Sequence, residues 1–127
     1  MSHELMLPPG DYYLGDPCYV VQDWEDFLTE FWKFDRGGVF KFQGKTCAAF
    51  YTKYGDGQYE VVEGAWGTLP VDAGMIGMIP MSIAGDAGVA GVDVELRQPA
   101  KCWESDGWLH FGDIVVNTTD EDQEDES

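Results

Sequence analysis

Six aspartates of this 127-residue chain, Asp11, Asp16, Asp56, Asp86, Asp106 and Asp113, touch a glycine directly, and Asp72 lies two residues from Gly74. Carboxylates in that company serve two kinds of chemistry. The commoner is the tight turn, where glycine accepts backbone angles that other residues avoid and the aspartate side chain bonds the backbone nearby. The other is a cation site. If Asp16, Asp56, Asp72 and Asp113 gather at one end of a sheet, they become candidate ligands for a hard cation such as calcium or magnesium, which takes oxygen donors. Their spacing does not follow the calcium loop of an EF-hand.

Nucleophilic and acid–base chemistry finds less support. Cys18, Cys47 and Cys102 are odd in number and show no CxxC spacing, so they read as reduced thiols acting as small buried hydrophobes in a reducing cytoplasm. Cys18 follows a turn, where a nucleophile could sit, but Pro17 and Tyr19 flank it and no histidine is near in sequence. His3 lies close to the N-terminus, and His110 alternates with Leu109 and Phe111 in the manner of a strand residue rather than a general base. The chain has no GxxxxGK[ST], GxGxxG, GxSxG or HExxH, the motifs that would announce phosphate binding, dinucleotide binding, acyl transfer or zinc hydrolysis. The reading therefore leans away from an enzyme. It assigns no catalytic residue and no cofactor.

Six tyrosines and five tryptophans exceed what one small core needs, and both residue types bury well at protein interfaces. Taken with the aspartates, they give the candidate binding residues Asp16, Tyr19, Tyr54, Asp56, Tyr59 and Asp72. A core rich in aromatics is the plainer alternative.

Charge narrows the partner. The chain carries 24 acidic residues against 7 basic ones, a formal net charge of -17. Six of those acids lie in residues 120–126; without them 18 acids still face 7 bases, or -11. Such a surface repels nucleic acid and attracts cationic proteins. With apolar residues at 44% and aromatics at 14%, the composition is that of a folded domain rather than a disordered chain. No stretch approaches the roughly 18 apolar residues of a membrane span, so no membrane partner is expected.

The elements that must position these residues follow from periodicity. "DYYLG" and "CYVV" read as two short strands around a Gly15-Asp16-Pro17 turn. "DWEDFLTEFWKF" places Trp24, Phe27, Leu28 and Phe31 on one helical face, predicting a helix over about 23–34 with Asp23 capping the first turn. Strand patterns follow in "VFKFQ", "KTCAAFYT", "QYEVV", "TLPVD" and "MIGMIP", with a turn at "GDAG". "VAGVDVELR" alternates, so Val92, Val94 and Leu96 share a face. "AKCWES" and "WLHFGDIVVNT" form a hairpin joined by Asp106-Gly107. The expected fold is α+β and mainly antiparallel, a twisted sheet or partial barrel of about eight strands with the early helix packed on it. A globular domain is expected over residues 5–118, and an acidic disordered tail over 119–127.

"GDYYLGDPCYV", "YGDGQYE" and "VDAGMIGMIP", taken together and in that order, resemble a pattern found in small uncharacterised proteins of bacteria and their phages. The resemblance spans residues 10–116 and implies a shared compact fold and a phage or mobile-element setting, but carries no activity. The functional expectation is a non-enzymatic acidic protein, cytoplasmic in the host bacterium. It would engage a host protein with a basic, nucleic-acid-interacting surface, by aromatic anchors and by charge that imitates nucleic acid. The alternative is a small ligand- or divalent-metal-binding domain, with or without an enzymatic activity, built on the glycine-flanked aspartates.

Overall fold

The computed structural model describes residues 5–33, 37–84 and 91–119. Ten strands and two helices succeed one another along these residues. Strand β1 (Gly10–Gly15) precedes α1 (Trp24–Phe31), and a hairpin of β2 (Gly37–Phe42) and β3 (Lys45–Tyr51) follows. Next come β4 (Gly57–Glu63), β5 (Thr68–Val71), β6 (Met75–Pro80) and the short α2 (Met81–Ala84). The chain then forms β7 (Gly91–Leu96), β8 (Cys102–Ser105), β9 (Trp108–Phe111) and β10 (Ile114–Asn117). All strand pairs are antiparallel.

These strands make two sheets, ordered β2-β3-β6-β1-β7 and β5-β4-β10-β9-β8, and neither closes into a barrel. The class is α+β and mainly antiparallel, as the periodicity predicts, with two facing sheets where a single sheet or partial barrel was the expectation. One apolar core lies between the sheets and includes Tyr12, Leu14, Phe50, Tyr59, Leu69, Ile76, Met78, Leu109, Phe111 and Val116. A second core lies on the other face of the first sheet, under α1, and gathers Tyr13, Phe27, Phe31, Phe40, Phe42, Cys47 and Ile79.

The first sheet is thus a middle layer. Its central strand β6 is buried at five successive positions from Met75 to Ile79, which accounts for a continuous apolar run where a half-exposed strand would alternate. The second sheet alternates instead, because one of its faces meets water.

Helix α1 uses the face that the spacing marks out. Phe27 and Phe31 are fully buried, with Trp24 and Leu28 packed beside them. The Phe27 ring meets Phe40 and Phe42 edge-on at centroid distances of 5.3 and 5.2 Å, the arrangement that aromatic quadrupoles favour. The helix runs from Trp24 to Phe31 rather than over 23–34, and residue 34 lies outside the described residues. Asp23 occupies the cap position without capping: its carboxylate accepts from the Gln43 side-chain amide at 2.9 Å, across to the β2–β3 turn.

Two further expectations change. "CYVV" is not a strand: Pro17–Tyr19 forms a 3₁₀ turn, because Asp16 caps it and Pro17 supplies the starting backbone angle. "WLHFGDIVVNT" is itself a hairpin, broken into β9 and β10 at Gly112-Asp113. The Asp106-Gly107 turn forms as read, with both residues at positive φ (53° and 92°), the geometry that matches the twist of a two-residue hairpin. The "GDAG" turn and residues 120–127 of the acidic tail lie outside the described residues.

Candidate functional site

Asp16 is fully buried. Its carboxylate receives three backbone amides: Cys18 N–H on Oδ1 at 2.9 Å, and Asp72 and Ala73 N–H on Oδ2, both at 2.6 Å. The first bond closes the 3₁₀ turn, and the other two cross to the β5–β6 connection, fifty-six and fifty-seven residues along the chain. One side chain therefore staples two distant loops, through charge-assisted bonds worth about 1.5–3 kcal/mol each. The Tyr13 hydroxyl donates to the Asp16 carbonyl at 2.9 Å. Pro17 packs on Gly77 of β6, where an added Cβ would sit 3.2 Å from the proline ring and 2.5 Å from the Ala48 carbonyl. Gly77 is thus required by close approach rather than by its φ.

The "YGDG" segment joins the same corner. Thr52 donates its hydroxyl to the Gly55 carbonyl at 2.7 Å and its amide to the Gly74 carbonyl at 3.0 Å, and the Tyr59 hydroxyl donates to Gly55 at 3.0 Å. The three segments that stand out in the sequence thus meet in space and hold one another. Their candidate binding residues divide. Asp16 and Tyr59 are buried and structural, whereas Tyr19, Tyr54, Asp56 and Asp72 lie exposed at the surface of the corner. Partial burial and then the charge of Asp72, with Cys18, Asp16 and Asp56 contributing less, raise the Tyr19 phenol above its ordinary value of 10.0.

Asp113 does not belong to this group. It lies beside Gly64, at the far end of β4 from Asp56, and the seven residues of that strand put roughly 23 Å between the two ends. Among the described residues no group of three or more His, Cys, Asp or Glu side chains is placed to hold a metal ion. The four candidate ligands Asp16, Asp56, Asp72 and Asp113 are therefore not brought together: one carboxylate bonds backbone amides and another stands at the opposite end of β4.

The thiols are equally quiet. Burial, aided by a bond to the Asp16 carboxylate, pushes Cys18 up to about 12. Burial alone does the same for Cys47 and Cys102, and none of the three is in a disulfide. A thiol held protonated near neutral pH is a poor nucleophile. His110 is stacked against Trp103, ring centroids 4.3 Å apart and 5° from parallel.

That stack belongs to the outer face of the second sheet. Strand registers set two rows across it, Trp103–His110–Val115–Glu63 and Ser105–Trp108–Asn117–Glu60–Thr68. Trp103 and Trp108 are 42% and 39% exposed, far from the burial that an indole of the core would have, and Val62 is exposed beside the irregularity at Val115/Val116. The five strands contain no lysine or arginine; their charged residues are Glu60, Glu63 and Glu104. Indoles thus lie toward one edge and carboxylates two or three strands away, roughly 10–15 Å at the usual strand spacing. Sequence reading alone marked these tryptophans only as plentiful. The signal that locates them is the alternation in "CWES" and "WLHF", where Leu109 and Phe111 turn inward and Trp103, Trp108 and His110 turn out.

The fold and its faces define a small two-sheet antiparallel β protein with a helix across one sheet. Comparison with known proteins finds no matching family model, no matching curated protein and no matching solved structure.

Proposed function

We propose that the protein is a non-enzymatic, acidic binding protein whose contact surface is the outer face of the second sheet and whose partner is a protein with a basic, nucleic-acid-interacting surface. The observation that carries this reading is the make-up of that face: two partly exposed tryptophans, glutamates on the same rows, and no basic residue in its strands. Burying an exposed indole against a partner supplies the kind of energy concentrated at interface hot spots. Carboxylates nearby draw a cationic surface in and fix its orientation. A chain at -17 also presents the negative field that a nucleic-acid-binding groove is built to receive. Together with the resemblance to small bacterial and phage proteins, this supports a phage accessory, host-takeover or anti-defence role in the host cytoplasm.

The ligand- or metal-binding alternative gains no comparable support, since the Asp16 oxygens are already engaged by backbone amides. The test is affinity capture from a bacterial lysate, then competition. A basic partner that loses its polynucleotide when this protein is saturating, and is retained poorly by Trp103→Ala with Trp108→Ala, supports the proposal. A partner that keeps its polynucleotide removes the mimicry, and indifference to both tryptophans removes the face.

A further inference from the structure

The two sheets end in four edge strands, and among the described residues only one of these is both long and uncovered. β5 is four residues long and contains Pro70, which cannot donate to a neighbour. β8 is also four residues long. β2 has six residues but lies under α1, with Phe27 and Phe31 against Phe40. β7, Gly91–Leu96, has six residues and no proline, and among the described residues its ladder bonds run to β1 alone. Alternate N–H and C=O groups of such a strand point away from the sheet without strand partners.

Beside that edge the sandwich is open. A groove of about 810 Å³ runs between β7 with its continuation to Ala100 on one side and the β4–β5 and β9–β10 turns on the other. This volume is in the range of ligand clefts. Val94 and Leu96 help to line it, as does Trp66, which is 91% exposed. The charges are Asp93, Glu95 and Asp113 against Arg97, which is itself 3.8 Å from Glu95.

We propose that β7 is a docking edge for an extended, lysine- or arginine-rich peptide segment, which adds as a further strand to the first sheet and lies in this groove against Trp66. Backbone pairing supplies the register, as in other cases of strand addition. The carboxylates select the occupant by sign. A second copy of this chain brings Asp93 and Glu95 against their own counterparts, and its net charge of -17 opposes the approach, so the same residues that prevent edge-to-edge association admit a cationic strand. Six residues of edge pair about 20 Å of extended chain. This site is on the other sheet from the indole face and does not depend on that face being a contact surface.

The experiment uses the full chain and a labelled ten-residue peptide alternating lysine and valine, with two controls: a copy N-methylated at alternate residues, which keeps the charge but cannot complete a ladder, and a glutamate–valine copy. Fluorescence anisotropy reports affinity, and amide hydrogen exchange reports location. We expect the lysine peptide to bind at least tenfold more tightly than the N-methylated copy, the glutamate peptide not to bind, and amides of β7 to gain protection. Asp93→Lys with Glu95→Lys should abolish binding, Trp66→Ala should weaken it about tenfold, and Trp103→Ala with Trp108→Ala should leave it unchanged. Equal binding of the N-methylated copy overturns the proposal, since charge alone then explains the affinity. Protection elsewhere than β7 overturns it as well, and protection of β7 without peptide, accompanied by a dimer in sedimentation, replaces the peptide with a second copy.

Discussion

At the Asp16 corner a carboxylate, a thiol and two phenols turn inward, and backbone groups meet them at hydrogen-bond distance. On the outer face of the second sheet two indoles stand partly in water on rows that each include a glutamate. Both regions are built from residues able to do chemistry, but the first has its polar groups engaged by the chain's own backbone and the second leaves its indoles and glutamates partly in water. The difference teaches that residue type does not separate construction from recognition. What separates them is where the bonds go. A buried carboxylate with three amide donors stabilises by being fully satisfied, and the same satisfaction removes it from service to a ligand.

The largest expected effect breaks the corner. Asp16→Ala leaves three amide donors without their acceptor and should destabilise the fold by about 3–5 kcal/mol in urea denaturation. Asp16→Asn, which keeps one acceptor oxygen, should cost less. A loss below about 1 kcal/mol for the alanine variant would show that the staple is ornamental.

Alkali tests the same interior. The thiols of Cys18, Cys47 and Cys102 are raised from 9.0 to about 12, and the Tyr12 phenol from 10.0 to about 12. In each case the unfolded chain loses its proton first. Stability from these groups is therefore fully present below pH 9 and drains away as pH rises from 9 toward 12. Denaturation midpoints should be level between pH 7 and 8.5 and fall by pH 10. Native thiols should react slowly at pH 8, and denatured protein should titrate three.

On the open face the expected signs reverse. Trp103→Ala and Trp108→Ala should each weaken the partner complex by about 2 kcal/mol, roughly thirtyfold and mainly through faster dissociation, while stability changes by less than about 1 kcal/mol. A variant that lost stability and kept its affinity would move these residues to the structural side of the comparison.

Two smaller effects sharpen the contrast. Glu60→Gln with Glu63→Gln should slow association about two- to threefold and flatten its salt dependence, leaving dissociation nearly unchanged. Deleting residues 120–127, which contain no apolar side chain, should shift Tm by less than about 1 °C. Stopped-flow association and a melting curve decide these two.

Local pattern by itself determined the antiparallel α+β class, the buried face of α1, the Asp106-Gly107 hairpin and the inward set Val92, Val94 and Leu96, because each depends on periods of two to four residues or on the φ of a single turn. It misread "CYVV" and "WLHFGDIVVNT", where strand propensity was outweighed by a cap and by a second turn. Only the tertiary structure decided that Asp16 reaches Asp72 and Ala73 while Asp113 stands at the far end of β4, and that the strands form two sheets, with β7 at the edge of the first. Those outcomes depend on pairing strands far apart in the chain. The closure of such loops is fixed by the whole set of burials at once, and no window of the sequence carries that information.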